Sequence, residues 1–204
     1  MTDNEHLKPE QLAADPIEQF GRWYAAAPAA GQNDPEICCL ATATPGSRPS
    51  ARIVLLKGFD SRGFVIYTNY GSRKASELDA NPHAALTFHW AVAGRQVRIE
   101  GAASRTSREE SRAYFDTRPY ESRLGAWASR QSVPLAGRDE MEAEFERLKA
   151  KYPDPADVPL PDFWGGYRIA PSVIEFWQQG PWRLHDRFRY SLIDEAWKVE
   201  RLSP

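Results

Sequence analysis

Four groups of side chains in this sequence place cations or hydroxyls where they are costly without an anion nearby. Ser72-Arg73-Lys74 opens a helical stretch with Ser72 as a cap. Two cations in a first helical turn oppose the helix dipole, so a bound anion such as phosphate would gain from free N–H groups, dipole and both charges together. A solvated basic pair is the plainer alternative. In Arg52-Ile53-Val54-Leu55-Leu56-Lys57 an Arg and a Lys bracket an apolar run of the kind usually buried on both faces of a sheet. Strict alternation sends Arg52 and Lys57 to opposite faces, toward two different anions, unless a bulge intervenes or the charges simply emerge at the strand ends.

Tyr114, Arg118 and Ser122 are spaced four apart, and Pro119 is expected to break the helix, leaving a helix end plus a turn. A planar guanidinium with two hydroxyls suits a second phosphate, although Arg118 alone could cap the helix C-terminus. Arg183, His185 and Arg187 alternate, with Arg189 continuing the row, and so are expected on one face of a strand. Like charges in a row need water or an electron-rich ligand, and a solvated edge strand would also carry them. Gln96, Gln131, Ser132 and Trp177 add polar and aromatic groups near strand and loop ends. Together these features suggest two phosphorylated ring compounds bound side by side.

Other chemistries are disfavoured. Cys38 and Cys39 are adjacent, so on a strand they face opposite ways and neither close a disulfide nor build a zinc site. The four histidines lack HExxH spacing, and there is no Walker or GxGxxG loop. A net charge of −2 argues against a nucleic-acid-coating surface. No stretch reaches the ~18 apolar residues a membrane span needs, and Met1 to Gln11 lack the apolar core of a secretory signal. A cytoplasmic location is the expectation.

The elements that must position these groups read as follows. A helix starts at Asp15-Pro16 and carries Ile17, Phe20 and Tyr24 on one stripe. Strands are expected at Ile37 to Thr44, Ala51 to Lys57, Gly63 to Asn69, Ala84 to Trp90 and Gln96 to Ala103, with a helix from Arg73 to Ala80 among them. Helices follow from Ser107 toward Arg118 and from Asp139 to Lys151, then a proline-rich loop. Gly166 to Trp177, Arg183 to Leu192 and Trp197 to Leu202 complete the strands. The fold class is mainly β with flanking helices, an antiparallel barrel within one domain spanning 1–204, with residues 1–14 flexible.

The ordered runs RIVLLK, GFVIYTN, SRKASELDANP, RQVRIEG, YFDTRPYESRLGAWASRQS, WGGYRIAP, EFWQ and RLHDRFRY resemble the pyridoxine/pyridoxamine 5′-phosphate oxidase family over about residues 15–204. The resemblance implies a Greek-key-like split β-barrel binding flavin mononucleotide (FMN) at a homodimer interface. It implies that Arg52, Ile53, Val54, Leu55, Leu56, Lys57, Tyr67, Thr68, Arg73, Lys74 and Gln96 hold FMN from one chain. Gln131, Ser132, Trp177 and Arg187 would reach it from the partner. Lys57, Tyr114, Arg118 and Ser122 would take the substrate phosphate, and Arg183 and His185 would face the pyridine ring as catalytic groups. The implied reaction passes a hydride from substrate C4′ to flavin N5, with O2 reduced to H2O2 and pyridoxal 5′-phosphate released. The chain before Asp15 lacks the Arg and Tyr that close over substrate in many members of the family. A phenazine-pathway flavin oxidase, which tends to lack the Lys, Tyr and Ser of the phosphate cradle, and a non-catalytic flavin or pyridoxal-phosphate carrier are the alternatives.

Overall fold

A computed structural model describes residues 6–204. Five helices, α1 (Pro16–Ala26), α2 (Arg73–Ala80), α3 (Arg108–Thr117), α4 (Tyr120–Ala128) and α5 (Arg138–Lys151), flank nine strands. The strands are β1 (Ile37–Ala43), β2 (Pro49–Leu55), β3 (Gly58–Asp60), β4 (Gly63–Asn69), β5 (His83–Trp90), β6 (Arg95–Arg105), β7 (Trp164–Gln178), β8 (Asp186–Ile193) and β9 (Ala196–Leu202). Every pairing is antiparallel, in the order β2-β1-β5-β6-β7-β4-β3, with β8 and β9 branching from β7. The mainly-β class with flanking helices is as the sequence implied.

The 15-residue β7 is the fork. Its first half pairs with β4 (Tyr67↔Gly166) and its second half with β8 (Trp177↔Arg187), while β6 runs along both. A register shift at Glu100/Gly101 lets β6 follow both halves, and Gly101 fits there because a Cβ would sit 2.0 Å from Ala170 O. Just past β2, Lys57 N–H donates to Val65 O at 2.9 Å, drawing the two ends of the strand path together into a barrel.

Phe20, Phe64, Leu86, Phe88, Ile99 and Phe176 are completely buried in that barrel. The rings of Phe64 and Phe88 lie edge-on to Phe20, with centroids 4.9 and 5.1 Å away, the arrangement aromatic quadrupoles favour. Asp15 caps α1 by accepting from Ile17 N–H at 2.7 Å. A second apolar cluster, with Phe115, Leu124, Leu148, Leu160 and Trp164, packs α3, α4 and α5 beside the barrel.

Two local expectations change. Pro119 ends α3 but also caps α4, because proline suits a helix start, where no N–H partner is lost. The run Ile53–Leu55 is an edge strand and not doubly buried: Ile53 is 66% and Leu55 41% exposed. Within 1–14, residues 1–5 lie outside the described residues. From His6 on the segment is stitched to β8, with Leu7 N–H on Asp186 Oδ2 at 3.0 Å and Tyr190 OH donating to Ala13 O at 2.8 Å.

Candidate functional site

The N-terminus of α2 gathers the first group. Ser72 accepts from Ala75 N–H, which leaves the N–H of Arg73 to donate to Ser132 Oγ at 3.2 Å. Lys74 Nζ lies between Thr68 Oγ1 and Gln131 Oε1, both at 3.1 Å. Burial, and then the charge of Arg52, pull the Lys74 pKa down. Among the described residues this ammonium has no carboxylate partner. Arg52 is held by Thr42 Oγ1 (2.5 Å), Leu40 O (3.3 Å), Ser50 Oγ and Glu77 Oε2 (3.1 Å).

The second group lies in the same cleft. Ile53, Val54 and Leu55 from the end of β2, with Lys57 just beyond it, form one wall. Tyr67, Thr68, Lys74 and Gln131 form the floor, and Tyr114, Arg118 and Trp164 the far wall, around about 290 Å³. Tyr67, Tyr114 and Trp164 lie nearly parallel and mutually adjacent, Tyr67 being 4.1 Å from Tyr114 (17°) and 5.3 Å from Trp164 (8°), with Tyr114 6.3 Å from Trp164 (9°). Arg118 lies over Trp164 at 4.8 Å, and its Nη1 is buried with no hydrogen-bond partner. Burial lowers its pKa, with Tyr114 opposing and Arg123 reinforcing the shift. Burial raises the pKa of Tyr114, and burial with Glu110 pushes Tyr67 up to about 12, so both phenols remain donors. Ser122 stands in the first turn of α4, four residues beyond Arg118, without lining the cleft. The Leu56 side chain is in the barrel core, only 4% exposed.

The third group is elsewhere. Gln96 on β6 is opposite Trp177 on β7, which is opposite Arg187 on β8. The His185 ring packs on Trp177 at 4.5 Å, and its Nδ1 accepts from Gly180 N–H at 3.2 Å. Neutral His185 therefore carries its hydrogen on Nε2. Arg187 grips Glu175 with two bonds of 2.9 and 3.1 Å and donates to Ser203 O at 2.9 Å.

The expected cationic row is corrected here. The strand begins at Asp186, because Trp182 (φ 52°) and Arg183 (φ 66°) are left-handed residues in a turn after Gly180-Pro181. Arg183 is thus exposed on a turn, and only Arg187 and Arg189 share the strand face. Glu175 and Glu200 pair with them, so both cations have a counter-charge, while Arg189 Nε is buried without a hydrogen-bond partner. Gln131 and Ser132 touch Thr68, Lys74 and Arg73 of their own chain, whereas Gln96 joins Trp177 and Arg187.

Sequence reasoning missed Glu77 and Trp164. Nothing local marks Glu77 as the partner of Arg52, whereas Trp164, opening a strand after a proline-rich loop, was a readable signal. A larger groove of about 830 Å³, beside α5, carries Gln131 alone of the expected site residues. No cluster of metal-ligating side chains occurs, and no helix is long and apolar enough to cross a membrane, among the described residues.

Comparison with known proteins gives a consistent result. Residues 10–152 match the family model described as pyridoxamine 5′-phosphate oxidase, and residues 164–204 match the pyridoxine 5′-phosphate oxidase C-terminal dimerisation region. A pyridoxine/pyridoxamine 5′-phosphate oxidase of Rubrobacter xylanophilus is 57% identical over 93% of this chain and 87% of its own. One from Streptomyces avermitilis is 52% identical over 98% and 92%. Among solved structures, PhzG of Burkholderia lata, in complex with tetrahydrophenazine-1-carboxylic acid, aligns with a TM-score of 0.92 at 32% identity over 98% of both chains. An FMN-binding protein of Nostoc punctiforme, related to pyridoxamine 5′-phosphate oxidase, shares the fold at a TM-score of 0.78 and 18% identity, covering 95% of this chain and all of the other.

Proposed function

This chain belongs to the pyridoxine/pyridoxamine 5′-phosphate oxidase family, with FMN as its cofactor, and from that premise we propose that it oxidises pyridoxine and pyridoxamine 5′-phosphates to pyridoxal 5′-phosphate. The observation that carries the reading is a pair of cations in one cleft with no carboxylate partner among the described residues: the Lys74 ammonium, bonded only to neutral oxygens, and Arg118, whose Nη1 has no hydrogen-bond partner. Each is a desolvated charge, costly unless an anion completes it. A bound cofactor phosphate and a substrate phosphate would each complete one.

The residues fit FMN. The α2 N-terminus, Lys74, Arg73, Ser132 and Gln131 suit its phosphate, and Ile53 to Leu55 with Thr68 and Tyr67 offer a mixed wall for a flat ring. Gln96, Trp177 and Arg187 would come from the second chain of a homodimer, a state supported by the matched dimerisation region. The exposure of Ile53 and Leu55 supports a covered face on β2. Lys57, Tyr114, Arg118 and Ser122 would hold the substrate phosphate. Arg183 would orient the pyridine ring. His185 presents an Nε2–H donor, fixed by its Gly180 contact, to hold or move a proton at the substrate C4′ substituent.

Bound FMN would supply the redox chemistry, taking a hydride from the substrate and giving its electrons to O2, which would leave as H2O2. The chain's part is to bind two phosphates at a fixed separation, align the ring and exclude water behind the Tyr67, Tyr114 and Trp164 stack. A second reading, a phenazine-type flavin oxidase, is favoured by the 0.92 TM-score to PhzG. Lys57, Tyr114 and Arg118, which line the cleft, support the phosphorylated substrate instead.

The test is an oxygen-dependent assay on FMN-loaded protein, with pyridoxine 5′-phosphate and pyridoxamine 5′-phosphate offered separately. Matched formation of pyridoxal 5′-phosphate and peroxide is expected. Bound flavin without turnover on either substrate refutes the proposal and leaves the phenazine-type oxidase or the carrier.

A further inference from the structure

Glu77 is the most heavily bonded carboxylate of the cleft's surroundings, and the reaction as described gives it nothing to do. It stands one turn into α2, is only 5% exposed, and belongs to no strand of the cleft. Its Oε2 accepts from Thr42 Oγ1 and Ser50 Oγ, each at 2.5 Å, and from Arg52 Nη2 at 3.1 Å. Its Oε1 accepts from Arg73 Nε at 2.8 Å. One carboxylate thus bridges two arginines and ties both to the β1–β2 hairpin through a threonine and a serine.

Without that bridge the arrangement is unfavourable. Arg52, Arg73 and Lys74 bring three positive charges to one helix end, and the influence of Arg52 on Lys74 shows how close two of them lie. Like charges at that range repel and would splay two long side chains into solvent. A bridging carboxylate offsets the repulsion and orders both guanidiniums before any ligand arrives. The Nη groups of Arg73 make no hydrogen bond to protein among the described residues, so that fork is held by Nε and left open at its tip. Ordering a cation in advance removes the entropic cost of ordering it on binding.

We propose that Glu77 is a positioning residue for the cofactor phosphate, setting the Arg52 and Arg73 guanidiniums at a fixed separation while touching neither cofactor nor substrate. The assignment rests on the reading above that the α2 N-terminus and Arg73 serve the FMN phosphate, and it adds Arg52 to that group. It specifies that Glu77 acts on the phosphate alone, so its contribution is absent for a flavin that lacks one.

Riboflavin supplies that comparison. Dissociation constants for FMN and riboflavin would be measured by flavin fluorescence on the full-length dimer, for wild type, Glu77→Ala, Glu77→Gln and Arg52→Ala. Glu77→Ala is expected to weaken FMN about tenfold and leave riboflavin unchanged. Glu77→Gln keeps an acceptor oxygen toward Ser50 and Arg52 but loses the negative charge and sets its NH2 against the Arg73 Nε–H, so it is expected to recover only part of the loss. Equal weakening of both flavins means Glu77 is a structural group, and unchanged FMN affinity means the bridge is idle; either overturns the proposal. Arg52→Ala separates the premise: if it too fails to distinguish the two flavins, the phosphate assignment itself is wrong, whatever Glu77 does.

Discussion

Replacing Arg118 by methionine separates ligand binding from fold stability in a way the structure makes quantitative. The guanidinium lies over Trp164 at 4.8 Å with its Nη1 buried and unpartnered. A hydrogen bond to a charged group contributes about 1.5–3 kcal/mol. Losing one to a substrate phosphate therefore raises KM roughly ten- to hundredfold, at about 1.4 kcal/mol per factor of ten. The ligand-free protein gains instead, because a buried donor without a partner costs about 1–3 kcal/mol. Methionine keeps an unbranched, polarisable stem against the Trp164 ring. Arg118→Met is therefore expected to raise KM for the phosphorylated substrates, leave KM for unphosphorylated pyridoxine and pyridoxamine unchanged, and leave the melting temperature level or higher. Steady-state kinetics with both substrate sets and a thermal melt without ligand check it. A melting temperature several degrees lower, with the same KM change on both sets, would show that Arg118 holds the helices together and binds no phosphate.

Three further outcomes follow from the geometry. Arg183→Ala should cut turnover far more than it weakens FMN, because Arg183 lies on an exposed turn away from the α2 phosphate site; equal loss of both, by stopped-flow and flavin titration, contradicts the assignment. Burial alone would raise the Glu77 pKa, but bonds from Ser50, Thr42, Arg73 and Arg52 outweigh it and lower the pKa from 4.5 to about 2. A depressed carboxylate stabilises the fold above its unfolded pKa, so this contribution is full above pH 4.5 and lost as pH falls toward 2; a melting curve for Glu77→Gln that tracks wild type in slope across that window refutes the linkage. Cys38 is 2% exposed and, chiefly by burial, pushed up to about 12. Native protein at pH 8 should therefore expose at most one of its two thiols to an aromatic disulfide reagent, and fast reaction of both contradicts the burial.

How much of this was legible varied with how local the determinant was. The bounds of α2 and β4 were readable from sequence, since Ser72 caps one and Asn81-Pro82 stops it, while Gly63 and Asn69 bracket the other. The cation pair at the α2 N-terminus could be singled out because it contradicts the helix dipole within three residues. Helix α4 was hidden because Pro119 reads equally as a stop and a start. The Arg183 to Arg189 row looked like a strand because alternation carries no record of backbone handedness, and the left-handed pair at 182–183 breaks it. The apolar run at β2 could not declare itself an edge, since exposure there depends on which strand fails to lie beside it. The Arg52–Glu77 pairing spans 25 residues and two elements, and only the fold brings it about.

The forked strand also sets the order in which the molecule can be made. β7 is the partner of β4, about a hundred residues earlier, and of β6, about seventy earlier, and among the described residues it is the strand that joins β8 and β9 to the sheet. During synthesis some 160 residues emerge before its first residue, Trp164. Until then β4 and β6 each present an open edge of backbone donors and acceptors, the template that unwanted strands pair with. A chain that stalls in the proline-rich stretch before Trp164 therefore leaves both edges open to mispairing. Closure of the barrel is a late event, governed by the arrival of one strand.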